Sequence, residues 1–160
     1  MGIKSYIVNF LKSLKHGGVK YVSVTFTNPD ARYTNTKVFI SGGSEGLGRA
    51  MAKAYLAEGA EVIVTGRSKE KLSNFQLSES NAKLHTLVWD ALDFDSYKQK
   101  FDKAVSMMGR IDIFVNNVGG GMSKYEPWNA YTAEVLDRTY DINTKSMFLM
   151  CQMEGLYMID

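Results

Sequence analysis

Ser41-Gly42-Gly43-Ser44-Glu45-Gly46-Leu47-Gly48 stands between the apolar run Val38-Phe39-Ile40 and an alanine-rich segment over residues 49–58. Glycines at this spacing let backbone amides approach an anion, because no Cβ intervenes. A helix that follows directly points unpaired N–H groups and the positive end of its dipole at the same place. Ser41, Gly42, Ser44, Glu45, Gly46, Leu47 and Gly48 are therefore the candidate pyrophosphate cradle of a dinucleotide. Without further matches, a tight strand-to-helix turn explains the same glycines.

Outward from this loop the chain alternates strand and helix, the signature of a parallel sheet covered on both faces. Residues 38–40 predict the first strand and residues 49–58 a helix closed by Gly59. Residues 61–65 are the second strand, with Val62-Ile63-Val64 apolar throughout as a buried parallel strand requires. A helix begins at Lys69 and reaches about Phe75, and residues 84–89 form the third strand. Asp93 is placed to cap a helix whose apolar positions Phe94, Tyr97, Phe101, Val105 and Met108 follow the 3.6 period up to Gly109. Residues 111–115 are the fourth strand, 116–128 a loop with three consecutive glycines, and Thr132 opens a long helix to about Tyr157.

The glycine spacing is G-x-x-x-G-x-G after a hydroxyl residue, not the commoner G-x-G-x-x-G. Thr65-Gly66-Arg67-Ser68 ends the second strand, where a dinucleotide's ribose is read. No carboxylate stands there, and a guanidinium suits bidentate contact with a phosphate. Asp90-Ala91 closes the third strand, Asn116-Asn117-Val118-Gly119 the fourth, and Asp141-Ile142-Asn143 lies within the last helix. Together these segments resemble the short-chain dehydrogenases/reductases, whose motifs are T-G-x-x-x-G-x-G and N-N-A-G. Here Ser41 replaces the threonine and Val118 the alanine.

The resemblance covers about residues 37–160 and implies a doubly wound, Rossmann-like α/β sheet of order 3-2-1-4, truncated after the fourth strand and the following long helix. It implies Arg67 and Ser68 at an NADP 2′-phosphate, Asp90 and Ala91 at adenine, and Asn116, Asn117, Val118 and Gly119 along the ribose side. NADP is favoured over NAD. Glu45 opposes that choice unless Arg67 neutralises it. Asn143 is the one catalytic candidate within the chain, as the asparagine of the family's tetrad.

The family reduces a carbonyl with a serine, a tyrosine and a lysine that brings the tyrosine's pKa toward neutrality. Those residues follow a fifth strand, and the chain is expected to be incomplete before them. Tyr33 and Lys37 do form a Tyr-x-x-x-Lys, but on an extended segment they stand roughly 13 Å apart, not the 5–6 Å or so of a helix. They also precede the first strand, away from the strands' carboxyl ends. The implied activity is NADP-dependent hydride transfer between a nicotinamide and a small-molecule ketone or secondary alcohol. The alternative is a non-catalytic dinucleotide-binding regulatory module; a methyltransferase of similar topology is disfavoured.

Composition narrows the remaining classes. A net charge of +2 over 160 residues gives no case for nucleic acid. Cys151, the single cysteine, reads as a small buried apolar residue, and His16 and His85 stand too far apart for a zinc site. Residues 1–36 read as an N-terminal extension. Its basic amphipathic helix carries Ile3, Ile7, Phe10, Leu11 and Leu14, and a short strand spans residues 19–27. A surface helix is preferred there to an organelle presequence or a membrane-surface anchor over residues 1–16. A cytoplasmic protein is the expectation. The last helix is apolar on more than one face (Met147, Phe148, Met153, Leu156, Met158), which suits a homo-oligomer interface.

Overall fold

The computed structural model describes residues 32–120 and 131–159. The expected helix and strand of residues 1–31, and the loop positions 121–130, lie outside the described residues. Four strands, β1 (Lys37–Ser41), β2 (Glu61–Gly66), β3 (Leu84–Val88) and β4 (Ile113–Asn116), form one sheet of order β3-β2-β1-β4. Every pairing is parallel, with Phe39 opposite Ile63 and Phe114, and Ser41 opposite Asn116. This is the α/β sheet expected from the sequence.

The two-residue alternation of β1 explains the layers. Val38 and Ile40 face one side with Val62, Val64, Ala52, Leu56, Leu72 and Phe75. That side is covered by α1 (Gly46–Ala57) and α2 (Lys69–Glu79). Phe39 and Ile63 face the other side, against α3 (Tyr97–Met108) and α5 (Ser146–Ile159). Ile63 is wholly buried, so its side chain contributes roughly 1.5–3 kcal/mol of apolar transfer energy. Among the described residues β4 pairs with β1 alone, and all four of its residues are only half-buried.

Some boundaries differ from expectation. Asp93 makes no capping bond from its side chain, because a short 3₁₀ turn, Phe94–Ser96, intervenes before α3. The helix from Lys69 runs past Phe75 to Glu79 and ends at Ser80 in the left-handed conformation (φ 46°). The last helix begins as α4 (Ala133–Tyr140), capped by Thr132, whose side chain accepts from Val135 N. It widens into a π-turn over Asp141–Lys145 before α5. Cys151 is exposed, a correction to its reading as a buried residue. The inward stripe of α5 carries Ser146, Met150 and Glu154, four apart, which leaves position 151 outside.

Tyr97 locks α3 beneath the site. It is buried, and its phenol donates to Ala91 O at 2.6 Å. Burial, with the charge of Asp90, pushes this phenol up to about 12 against an opposing hydrogen bond with Ser146. Because folding raises the pKa, Tyr97's contribution is complete below pH 10 and disappears as pH rises through about 12. An ultraviolet titration of phenolate should show Tyr97 ionising near 12 and together with unfolding. A Tyr97→Phe variant should lose that last step.

Candidate cofactor site

Ser41 joins β1 to β4 at their carboxyl ends. Its Oγ accepts from Asn117 N at 3.0 Å and Val118 N at 3.3 Å, while Asn117 Nδ2 donates to Gly42 O at 3.0 Å. Gly43 N donates to Thr65 O at 2.9 Å, which ties the loop to β2. The chain turns through Gly42 (φ 66°) and Gly46 (φ 58°), left-handed positions that favour glycine. A Cβ on Gly48 would lie 2.4 Å from Gly42 O, so this glycine is demanded by close packing.

Helix α1 starts without a side-chain cap. Glu45 occupies the capping position, but its carboxylate accepts from Lys71 Nζ at 2.6 Å and makes no capping bond. The first-turn N–H groups have no intrahelical partner by geometry. An anion at this point gains those donors and the helix dipole. The lysine on α2, not Arg67, therefore balances Glu45.

A cavity of about 770 Å³ opens over the strands' carboxyl ends. It gathers Gly42, Ser44, Glu45, Leu47, Arg67, Ser68, Asp90, Ala91, Asn117, Val118 and Gly119 from the candidate set. Among the described residues, no carboxylate lies within ion-pair distance of Arg67. Ser68 caps α2 by accepting from Lys71 N at 3.2 Å, and Asp90 Oδ1 accepts from Leu92 N at 3.0 Å. Ser41, Gly46, Gly48, Asn116 and Asn143 do not line the cavity. Ser41 and Gly48 are buried beneath the loop, and Asn116 turns to α5, where its Nδ2 donates to Glu154 Oε2 at 2.6 Å.

Lys71, Val135, Arg138, Thr139 and Ile142 also line the cavity and were missed in the sequence. The signals were present. Lys71 follows Arg67 by four residues, and 135, 138, 139 and 142 share one face at helical spacing.

Asn143 sits in the π-turn and clasps the loop after β4. Its Nδ2 donates to Gly120 O at 2.6 Å and Thr139 O at 2.8 Å, and its Oδ1 accepts from Gly120 N at 3.1 Å. A side-chain amide competing for a helix carbonyl is a physical reason for the ladder to widen here. Asn143→Ala should lose roughly 1–2 kcal/mol in denaturant unfolding and speed amide exchange at Gly120. Unchanged exchange would show that the clasp does not hold the loop.

Tyr33 and Lys37 lie at the opposite end of the sheet. Residues 32–35 form a turn, closed by Thr36 N donating to Tyr33 O, rather than the extended segment expected. Tyr33 packs edge-on against Tyr55, and Lys37 pairs with Glu61 at 3.3 Å. The described residues hold no cluster of three or more His, Cys, Asp or Glu suited to a metal ion. Among them, no helix is long and apolar enough to cross a membrane.

Residues 36–160 match the profile of the family described as short chain dehydrogenase. The chain belongs to that family. This short-chain dehydrogenase chain is 35% identical over 127 residues to the levodione reductase of Leifsonia aquatica, covering 77% of this chain and 47% of that protein. It superposes on a short chain dehydrogenase from Bacillus anthracis with a TM-score of 0.73 at 30% identity, covering 79% of this chain and 51% of the other. The 3-ketoacyl-(acyl-carrier-protein) reductase of Brucella melitensis, solved with NADH, shares the fold at a TM-score of 0.70 and 23% identity (78% and 51% covered). The short-chain dehydrogenase chain thus spans about half the length of these relatives.

Proposed function

We propose that residues 37–160 form the NADP-binding part of an oxidoreductase acting on a ketone or secondary alcohol. The observation that carries the choice of NADP is Arg67, at the end of β2 on the cavity wall with no carboxylate partner among the described residues, while Glu45 is occupied by Lys71. The residues present fit such a ligand. The glycine loop leaves room for a pyrophosphate over the uncapped start of α1, and a Cβ on Gly46 would meet nothing within 4 Å. Bound there, the nicotinamide would supply or accept the hydride.

In this reading residues 41–48 hold the pyrophosphate, Arg67 and Ser68 the 2′-phosphate, and Asp90 with Ala91 the adenine. Residues 116–119 brace the ribose side. Asn143 fixes the loop beside the reacting groups and contributes to the proton relay. The proton donor is assigned, by the family resemblance, to a Tyr-x-x-x-Lys pair after a fifth strand. A second copy of the chain is the proposed cover for α5, whose Phe148, Leu156 and Met158 are 57–67% exposed.

Calorimetric titration with NADPH, NADH and S-adenosylmethionine tests the reading. NADPH is expected to bind at least about ten-fold more tightly than NADH, the equivalent of one charge-assisted hydrogen bond. S-adenosylmethionine should not compete. Equal binding of the two nicotinamide cofactors would remove NADP from the proposal, and preferential S-adenosylmethionine binding would replace it.

A further inference from the structure

Glu154 is an acid on the buried stripe of a helix, only 5% exposed. Its Oε2 accepts from Asn116 Nδ2 at 2.6 Å, and the same amide nitrogen contacts Cys151 Sγ at 3.3 Å. Asn116 Oδ1 is buried with no partner among the described residues. An ionised carboxylate only accepts, so it leaves Oδ1 stranded. A carboxylic acid instead offers its O–H to the amide oxygen while its other oxygen takes the amide N–H, closing a ring of two hydrogen bonds. Side-chain amide orientation is set by such partners.

The location gives the pair a consequence. Asn116 is the last residue of β4 and lies opposite Ser41 in the register. The next two N–H groups, of Asn117 and Val118, go to Ser41 Oγ. A restraint on the Asn116 side chain therefore acts at the root of the turn that lines the cavity.

We propose that Glu154 is a positioning residue for this turn: as a neutral acid it pairs with Asn116 through two hydrogen bonds and holds residues 116–119 against Ser41. The proposal rests on the cofactor reading of the cavity for its effect on binding, but not for the pair itself.

The surroundings favour the neutral form. Burial raises the Glu154 carboxyl above its ordinary range, opposed by the hydrogen bond from Asn116. Among the described residues no cation pairs with it. β4 presents the neutral Asn116, and the π-turn's Asp141 and Lys145 pair with each other at 3.4 Å. From α3, Phe101 packs its ring against Tyr157 of α5, whose hydroxyl accepts from Ile111 N, and the phenol of Tyr97, neutral over this range, meets Ser146. Cys151 and Tyr157 are the other ionisable groups on α5 itself. Because folding raises this acid's pKa, the pair's contribution is complete below 4.5 and is lost as pH rises through the folded value.

The test is a carbon NMR titration of the Glu154 carboxyl in the whole chain, alongside the Asn117 and Val118 amide signals and NADPH affinity. Glu154 should ionise above the ordinary carboxylates, and both amide signals should shift with the same midpoint. The NADPH Kd should rise by up to about five-fold across that titration, the worth of one hydrogen bond. Glu154→Gln offers an N–H to Oδ1 at every pH, so its Kd should stay flat near the wild-type acid value. Glu154→Met should be weaker throughout. Ionisation of Glu154 with the exposed carboxylates, or a Glu154→Gln profile that follows wild type, would overturn the proposal. If Glu154→Gln does not fold, the wild-type carboxyl and amide titrations decide. If NADPH binds at no pH, the cofactor reading fails while those signals still decide whether the pair holds the turn.

Discussion

Gly48→Ala is expected to abolish measurable NADPH binding and to destabilise the fold by about 3 kcal/mol, the upper range for overpacking. The added Cβ would stand 2.4 Å from Gly42 O and 2.6 Å from Asn117 Nδ2. The first of these is backbone, held in place because Asn117 donates to the same carbonyl. Relief therefore requires the loop to move off β4, which opens the cradle. In an ordinary helix the same change gains up to about 1 kcal/mol. Gly155 supplies that control, since a Cβ there meets nothing within 4 Å. Urea unfolding should shift the midpoint down for Gly48→Ala and not for Gly155→Ala. A Gly48→Ala protein with wild-type midpoint and NADPH affinity would show that the loop does not approach as closely as described.

Arg67→Ala is expected to weaken NADPH by about 100-fold while leaving NADH within about two-fold. The guanidinium would make two parallel charge-assisted hydrogen bonds to a 2′-phosphate, together worth about 3 kcal/mol. NADH has no such group, so it loses nothing. Arg67→Lys should recover only part of the loss, because an ammonium is a point charge without the planar fork. The NADPH preference should also shrink as salt rises, since Arg67 is exposed and its charge is screened. An equal loss of NADH and NADPH affinity would assign Arg67 to the pyrophosphate or to stability instead. No loss for either would leave the β2 end without a role in ribose recognition.

Both predictions draw on residues legible in the chain, but to different depths. Gly48 could be singled out by spacing alone, since a glycine at that step of a G-x-x-x-G-x-G loop has a local geometric reason. Arg67 was visible as a cation at the end of β2. Its electrostatic setting was not, because the carboxylate nearest in argument, Glu45, is balanced by Lys71, 26 residues further along the chain. Asn143 was likewise legible as an odd residue in a helix, whereas its hold on Gly120 required the loop and the helix to be seen together. The expected Asp93 cap failed because a one-residue capping signal is easily displaced by a preceding 3₁₀ turn.

The sequence by itself determined the sheet, its parallel strands, the glycine cradle and the group of residues at the strands' carboxyl ends. These follow from local causes: apolar runs, helical periodicity, and glycine where no Cβ is tolerated. Only the tertiary structure decided that Asn116 turns to Glu154 and that Cys151 faces out. It also decided that the cavity takes in Arg138 and Thr139 from a helix distant in sequence. Each of these depends on which elements pack face to face, and that packing brings together groups that share no local pattern, such as Asn116 and Glu154, 38 residues apart.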